Sequence, residues 1–302
     1  MNTLQQGTLW QRVVQTADEA LQSGSLVPIP TDGAVIEEGG VRFSVRVLAG
    51  LRKKAEARRE QDAAEQAGRS ANPFLPPEQE LTVADITETH LAILNKFNVV
   101  PHHLLIITRR FEDQETLLTP ADLEALWLCM AEFNGLGFYN GGTVGGASQR
   151  HKHLQMVPLP LASEGPAVPV EPLLAEAVTD KSGMGMIPAF PFRHAFVRLA
   201  PSLWQSPTDA ARATSGIYAR MLEHVGMTPP SPSGLTRQSL PYCLLVSRDW
   251  MLLVPRSREH VAEISLNSLA YAGSFFVWNE LLLAHLRAYG PMNLLRDAAF
   301  PK

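Results

Sequence analysis

The spacing of apolar residues changes along the first seventy positions of the chain. Between residues 8 and 22 apolar side chains recur every three or four positions, which predicts an amphipathic helix. Residues 35–47 are rich in β-branched side chains around Gly39-Gly40, which predicts two strands joined by a hairpin turn. Residues 51–70 combine many charged residues with few large apolar ones, which is typical of a solvated helix or a mobile loop.

The next part of the chain carries a strand pair and a strong helix start. The β-rich runs Ala92–Val100 and Leu104–Thr108 are separated by a short Pro-His-His turn, which favours adjacent antiparallel strands. Thr119 can cap a helix whose first turn contains Pro120, and an apolar face continues to Met130.

Residues rich in glycine and proline then predict loops before a second half of the chain that is rich in predicted strands. Residues 138–160 predict a glycine-rich loop that runs into a strand, and residues 161–192 predict a long connection. The later elements predicted are strands over Phe196–Leu199, Tyr242–Val246 and Trp250–Val254, and helices over Pro207–Gly226 and Leu266–Tyr289. Because strands and helices do not alternate regularly, the pattern favours an antiparallel α+β fold.

Composition narrows the class of protein. The 302 residues include 26 basic and 30 acidic ones, giving a net charge of −4. This charge disfavours a protein that coats nucleic acid, and it requires any anionic ligand to be bound by a local group of positive side chains. Two cysteines exclude a disulfide framework and a four-cysteine zinc site. The N-terminus lacks the basic start and apolar stretch of a secretory signal. The most apolar late segment, Leu266–Leu286, is interrupted by polar residues, so it is not expected to span a membrane. A cytoplasmic enzyme is the expected class.

The strongest chemical signal is His151-Lys152-His153-Leu154-Gln155, which follows a glycine-rich run. On a strand, residues 151, 153 and 155 share one face. A neutral imidazole is a nucleophile near pH 7 and can accept and release a nucleotidyl group, while the preceding glycines let backbone N–H groups approach phosphate oxygens.

Simpler interpretations apply to several of these residues. A His-x-His pair alone is a weak signal, and a zinc site would need a third ligand that does not follow at the required spacing. His102 and His103 are interpreted as turn residues, and His90 and His194 as structural. Asn95 and Lys96 are interpreted as a buried polar pair inside a strand, where a function is favoured.

The His-x-His-x-Gln run resembles the histidine-triad superfamily in the form used by nucleotidyl transferases. Further segments resemble the diadenosine tetraphosphate phosphorylase (ATP adenylyltransferase) family; they are Asn72 to Pro76, Leu94 to Val100, Gly145 to Gln155, Trp250-Met251, Pro255-Arg256, Asn267-Ser268 and Tyr271 to Gly273. The resemblance covers most of the chain.

The resemblance implies a role for individual residues. It implies that His153 is the nucleophile, that His151 orients the site and that Gln155 contacts phosphate oxygens. The positions implied to bind substrate are Lys54 (with Lys53 as an alternative), Asn95, Lys96, Asn140, Gly146, Ala147, Ser148, Gln149, Gln155, Asn267, Ser268, Leu269 and Ser274. Trp278 stands where related chains carry a lysine.

The resemblance also implies the fold and the reaction. The expected fold is a histidine-triad-like antiparallel sheet with flanking helices, enlarged as in the galactose-1-phosphate uridylyltransferase branch. The expected division is a catalytic region at 1–165, a connection at 166–192 and a C-terminal region at 193–302. The expected reaction splits diadenosine tetraphosphate with phosphate into ATP and ADP through an adenylyl-histidine, with Mg²⁺ bound to the polyphosphate. A monomer or homodimer is expected, with neither nucleic acid nor a membrane as a partner.

Two other functions stay open at this point. A hexose-1-phosphate uridylyltransferase uses the same His-x-His-x-Gln motif for nucleotidyl transfer. Such enzymes commonly carry Cys and His zinc ligands, and this chain has no cysteine pair at ligand spacing. A non-catalytic nucleotide sensor would bind the dinucleotide without turnover.

Overall fold

The computed structural model describes residues 4–48, 72–203, 206–231 and 234–302. The helices in these ranges are α1 (Leu9–Ser23), α2 (Pro120–Glu132), α3 (Glu171–Ala175), α4 (Pro207–His224), α5 (Ser268–Tyr271), α6 (Glu280–Tyr289) and α7 (Pro291–Ala298). The strands are β1 (Thr31–Glu38), β2 (Val41–Leu48), β3 (Thr82–Asp85), β4 (His90–Leu94), β5 (Leu104–Thr108), β6 (Gly135–Gly141), β7 (His153–Pro158), β8 (Val178–Thr179), β9 (Gly185–Met186), β10 (Ala195–Arg198), β11 (Tyr242–Val246), β12 (Trp250–Pro255), β13 (His260–Val261), β14 (Ile264–Ser265) and β15 (Ser274–Val277).

A ten-stranded antiparallel sheet forms the centre of the molecule, with the order β3-β4-β5-β7-β6-β11-β12-β10-β9-β8. Strand β6 pairs with β7 on one side and with β11 on the other, so strands from both halves of the chain belong to one sheet. The predicted domain boundaries at 165 and 193 stay a prediction. The predicted α+β class with an antiparallel sheet and flanking helices is confirmed.

The two faces of the sheet are covered differently. Helices α1, α2 and α4 bury one face in a cluster that includes Leu126, Trp127 and Met221. The other face packs along its C-terminal half against a small sheet of order β1-β2-β15 and helices α5, α6 and α7. A separate small cluster of Phe74, Leu91, Ile93, Leu105 and Ile107 covers part of the N-terminal half of that same face.

Local signals placed several elements correctly. The Gly39-Gly40 hairpin joins β1 and β2, and both glycines have positive φ values of 55° and 80°. Thr119 caps α2 and forms a reciprocal capping box with Asp122, with Pro120 in the first turn. Helices α1 and α4 and strands β5, β10, β11 and β12 also lie where the sequence predicts them, within a few residues.

Three predictions about elements were wrong. The predicted glycine-rich loop over residues 138–160 begins inside strand β6. The predicted terminal helix over Leu266–Tyr289 is divided into α5, β15 and α6, because Gly273 adopts a left-handed φ of 87° and Asn279 caps a new helix. The predicted strand Ala92–Val100 ends at Leu94.

No helix among the described residues combines the length and apolar character needed to cross a bilayer.

Candidate active site

Strand β7 and the residues directly before it place His151, His153 and Gln155 on one face of the sheet. Gln155 lies opposite Leu105 on β5 and Phe138 on β6, and His153 lies opposite Ile107. Residues directly opposite one another in antiparallel strands share a face. The side chains of His153 and Gln155 therefore lie on the face bordered by the Phe74 cluster. The predicted common face is confirmed, because the Phe74 ring also contacts His151 and His153, with ring centroids 5.5 and 5.4 Å apart.

The His153 ring is fixed by its own strand. Its Nδ1 donates to the carbonyl oxygen of His151 at 2.8 Å, which places the proton on Nδ1 in the neutral ring. Among the described residues, Nε2 makes no hydrogen bond. Burial lowers the pKa of His153 to about 4, with the His151 hydrogen bond opposing the shift. The ring is therefore neutral at pH 7 with an available lone pair on Nε2.

The His151 ring uses both of its nitrogens. Nε2 donates to the carbonyl oxygen of Thr108 at 2.8 Å, and Nδ1 accepts from the Asn72 amide at 2.9 Å. The Asn72 Oδ1 in turn accepts from the backbone N–H of Phe74 at 3.0 Å. Burial lowers the pKa of His151 as well. Both His151 nitrogens are therefore engaged, while the His151 carbonyl group orients the His153 ring; the choice of His153 as nucleophile stays a prediction.

Gln114 is a buried residue that the sequence analysis missed. Its Oε1 accepts from the backbone N–H of His153 at 2.8 Å, and its Nε2 donates to the carbonyl oxygens of His153 and Asn140 at 3.2 and 2.9 Å. The Gln114 side chain thus connects the backbone of His153 to the end of β6. The polar run Glu112-Asp113-Gln114 just before a capped helix was the available signal.

His103 is a second residue that the sequence analysis missed, because it was interpreted as part of a turn. Its side chain is buried, and its Nε2 contacts Gln155 Oε1 at 2.9 Å. Its Nδ1 contacts the amide nitrogen of Asn95 at 3.1 Å. No local sequence signal indicates this contact, because it depends on the pairing of β5, which residue 103 directly precedes, with β7. His102, in contrast, lies in the turn with a φ of 56° beside Trp10.

The structure places Lys96 in a different setting from the predicted one. Asn95 and Lys96 follow the end of β4 and lie in a turn, and Lys96 is partly exposed. The Lys96 Nζ forms an ion pair with both carboxylate oxygens of Glu78 at 2.9 and 2.8 Å. Lys53 and Lys54 lie outside the described residues.

The glycine-rich turn before the histidines packs against the C-terminal half of the chain. Gly146 has a φ of 96°, and a Cβ there would lie 2.7 Å from the Asn267 Cβ, so glycine is required. The N–H groups of Gly146 and Ala147 donate to Thr143 and Gly142 within the turn. Those two groups are therefore not available to phosphate in this conformation, contrary to expectation. Ser148 is exposed and Gln149 is half-buried, and their predicted contact with phosphate stays a prediction.

Asn140 and Ser268 contact each other across the two halves of the chain. Asn140 Oδ1 accepts from the Ser268 hydroxyl at 2.6 Å and from its backbone N–H at 2.9 Å. Asn267 caps α5 by accepting from the Leu269 N–H at 3.0 Å. The structure therefore brings these predicted residues together beside the glycine turn. The hydrogen bonds described here join them to one another, Asn140 to Ser268 and Asn267 to Leu269.

Ser274 lies apart from this group in the contacts that the described residues make. It begins β15, where it is buried and pairs in register with Ser44 of β2. Its predicted contact with substrate stays a prediction.

A buried ionic network lies on the opposite face of the histidine strand. Lys152 is fully buried, and its Nζ contacts Asp122 at 2.6 Å and Glu112 at 3.2 Å. His90 contacts the other Asp122 oxygen at 2.9 Å. Burial alone would raise the pKa of the Asp122 carboxyl, but the His90 hydrogen bond and the Lys152 charge hold it well below its usual range. The interpretation of His90 as structural is consistent with this position.

The arrangement supplies the parts of a group-transfer site. It contains a neutral, oriented imidazole at His153, an amide at Gln155 on the same face, and the partly exposed ion pair of Lys96, which follows Asn95. Among the described residues, no group of three or more His, Cys, Asp or Glu side chains is placed to hold a metal ion.

Comparison with known proteins gives the family. Residues 1–176 match the model of the Ap4A phosphorylase N-terminal domain, where Ap4A is diadenosine tetraphosphate, and residues 188–301 match the ATP adenylyltransferase C-terminal domain. The chain is 28% identical to diadenosine 5′,5‴-P1,P4-tetraphosphate phosphorylase 2 of Saccharomyces cerevisiae, over 81% of this chain and 79% of the relative. It is 26% identical to the protein APA1 of the same yeast, over 76% of each chain.

Solved structures share the fold. The crystal structure of yeast Ap4A phosphorylase Apa2 superposes with a TM-score of 0.77 at 22% identity, covering 99% of this chain and 96% of that chain. The same yeast protein in complex with Ap4A gives a TM-score of 0.75 at 21% identity, covering 99% of each chain. Because the N-terminal family model alone spans more than half of the sequence, the chain belongs to the Ap4A phosphorylase family of ATP adenylyltransferases, which are nucleotidyltransferases.

Proposed function

We propose that this chain catalyses the reversible phosphorolysis of diadenosine tetraphosphate. The observation that carries the proposal is the His153 ring, whose Nδ1–H is held by the His151 carbonyl while Nε2 makes no hydrogen bond with any described residue. Family membership and the yeast relatives that bear this activity in their names support the same substrate.

The reaction proceeds in two displacements at phosphorus. Nε2 of His153 attacks the α-phosphorus of one adenosine moiety, an Nε2–P bond forms, and the bond to the bridging oxygen breaks to release ATP. Positive charge develops on the ring, and the Nδ1–H hydrogen bond to His151 stabilises it. Phosphate then attacks the adenylyl group, the Nε2–P bond breaks, and ADP leaves with the neutral imidazole restored.

Neither displacement requires a proton from the protein. The leaving ATP is a polyphosphate anion whose terminal phosphate has a second pKa near 6, so it departs unprotonated at neutral pH. Lys96 directly follows Asn95, whose amide contacts His103, and we assign Lys96 to the polyphosphate together with Lys54.

Mg²⁺ is proposed to enter with the polyphosphate. Mg²⁺ retains several waters and is commonly held by substrate phosphates with one or two carboxylates. We expect EDTA to raise the KM for the dinucleotide while leaving the melting temperature of the free protein unchanged. A drop in melting temperature with EDTA would instead indicate a metal bound by the protein.

The deciding experiment is a coupled assay of ATP and ADP formation from diadenosine tetraphosphate in the presence of phosphate. We expect equal amounts of the two products and none from His153→Ala, which should still bind the dinucleotide within a few-fold. Labelled substrate quenched during turnover should leave label on the peptide that carries His153.

Three results would contradict the proposal or one of its parts. Uridylyl exchange between hexose phosphates without dinucleotide cleavage would favour a hexose-1-phosphate uridylyltransferase. Tight binding of the dinucleotide without product would favour a sensor, and label on His151 would overturn the choice of nucleophile.

A further inference from the structure

Three hydrogen bonds connect a backbone N–H to the side chain of Gln155. The N–H of Phe97 donates to Asn95 Oδ1 at 3.3 Å, the Asn95 amide nitrogen contacts His103 Nδ1 at 3.1 Å, and His103 Nε2 contacts Gln155 Oε1 at 2.9 Å. The order of these contacts fixes every donor and acceptor in the series.

The direction follows from the first member. A backbone N–H can only donate, so the Asn95 oxygen must face Phe97 and the Asn95 nitrogen must face His103. An amide nitrogen can only donate, so His103 Nδ1 accepts and, in the neutral ring, the proton lies on Nε2. His103 Nε2–H therefore donates to the Gln155 oxygen.

The consequence appears at the end of the series. With its oxygen occupied, Gln155 has its amide NH₂ left to offer, and that nitrogen makes no hydrogen bond with any described residue. Gln155 is two residues from His153 on the same face of the strand. The side chains of Gln155 and His153 are therefore neighbours on that face, and the Gln155 NH₂ group is left to bind a further partner.

We propose that His103 is a positioning residue that fixes Gln155 as a pure hydrogen-bond donor toward the phosphate transferred by His153. A free amide could turn its oxygen toward the anionic phosphate, which would repel it. The His103 hydrogen bond removes that orientation, and Asn95 selects the His103 tautomer that makes the bond possible. The kinetic part of this inference rests on the proposed function.

A pair of variants of equal size tests the direction of the bond. His103→Gln retains a donor that can reach Gln155 Oε1, and we expect its rate of adenylyl-histidine formation to stay within about three-fold of wild type. His103→Glu presents an acceptor, which would turn the Gln155 NH₂ away from the phosphate. We expect a loss of roughly ten- to a hundred-fold, the range for a hydrogen bond to a charged group. His102→Glu, next to it in the turn, is the matched control and should behave as wild type.

A second background separates positioning from packing. In Gln155→Met the amide is absent, so the difference between Gln and Glu at position 103 should shrink to within about two-fold. A difference that persists in this background, or equal rates for His103→Gln and His103→Glu with Gln155 present, would overturn the proposal.

A measurement on the wild-type protein is independent of turnover. Nitrogen NMR of ¹⁵N-histidine-labelled protein, with the His103 signals assigned by their loss in His103→Gln, should show a neutral ring protonated on Nε2. A ring protonated on Nδ1 would overturn the proposal even if the variants failed to fold. If the wild type shows the expected tautomer and no phosphorolysis, the proposed function fails while the His103–Gln155 orientation stands.

Discussion

At the scale of single residues, Gln155 is the position where the choice between phosphate and water as acceptor can be tested. An amide does not titrate near neutral pH and cannot act as a base for water, whereas phosphate is already an anion and needs no base. An imidazole at the same position could accept a proton from water. We expect Gln155→His to raise the ratio of AMP to ADP among the products, even if the total rate falls.

The measurement is the ratio of AMP to ADP from diadenosine tetraphosphate at a fixed phosphate concentration. Gln155→Met is the control, and it should lower the rate without raising the share of AMP. An unchanged ratio in Gln155→His would mean that the shape of the site excludes water, and that residue 155 does not select the acceptor.

Lys96 offers a second test, because a polyphosphate bound by Lys96, as proposed, would compete with its ion pair with Glu78. The pair is partly exposed, and breaking such a pair typically costs no more than about 1 kcal/mol. We expect Glu78→Gln to lower the KM for the dinucleotide by up to roughly five-fold and Lys96→Ala to raise it. In the Lys96→Ala background, Glu78→Gln should have little further effect. An equal effect of Glu78→Gln with and without Lys96 would show that the lysine does not contact the polyphosphate.

The sequence analysis predicted the positions of site residues that lie within one short motif. It missed residues whose contacts depend on how separate segments pair in the fold. The His151 and His153 positions follow from alternation along one strand. The role of His103 depends on the pairing of β5 with β7, and that of Gln114 depends on the path of the segment before α2. Neither contact is encoded by spacing within one segment.

At the scale of elements, the residue before β7 is joined to the start of α2 by the Lys152–Asp122 ion pair. Removing one partner of a buried pair leaves an uncompensated charge, which costs about 3–5 kcal/mol. We therefore expect Asp122→Asn to lower the free energy of unfolding by about 3 kcal/mol. Lys152→Met/Asp122→Asn removes both charges and should be more stable than Asp122→Asn alone.

Urea unfolding of the two single variants and the double variant measures this coupling. Glu124 lies on the same helix, is half-buried where Asp122 is buried, and forms no ion pair with a described residue. Glu124→Gln is therefore the matched control. Losses that simply add in the double variant would show that Lys152 and Asp122 do not act as a pair.

Elements differ in how well the sequence predicts them, and the difference has a physical cause. Helix α2 begins with its own cap and proline, so its start is encoded within four residues. Strand β6 contains glycines because a Cβ at Gly137 would lie 2.8 Å from the Leu126 side chain of α2. A glycine that is required by packing between distant segments has the same appearance in sequence as a glycine in a loop.

At the scale of the whole molecule, the residues predicted to bind substrate come from both halves of the chain and contact one another. The Asn140–Ser268 contact and the packing of Gly146 on Asn267 connect the glycine turn to α5, while β6 and β11 join the two sets of strands. The sequence analysis assigned these residues to one substrate site and could not give their mutual contacts. Those contacts depend on residues about 120 positions apart in the chain.

The pH dependence of folding is also a property of the whole molecule, because two buried histidines contribute to it. Burial lowers the pKa values of His153 and His194 to about 4, from an ordinary value near 6.5. His194 stays neutral because its Nε2 accepts the backbone N–H of Ile187 at 2.8 Å. As the pH falls below 6.5 the unfolded chain binds protons that the folded chain does not bind until about pH 4, so stability is present above pH 6.5 and declines below it.

The full effect approaches about 3 kcal/mol for each histidine at pH 4. His194→Gln retains an acceptor that does not titrate, so its free energy of unfolding should decline less steeply between pH 6.5 and 4 than that of wild type. Urea unfolding at pH 7, 5.5 and 4.5 measures the two slopes. Parallel slopes for wild type and His194→Gln would show that His194 is protonated equally in the folded and unfolded chains. The burial of His194 would then make no contribution to the decline of the free energy of unfolding with falling pH.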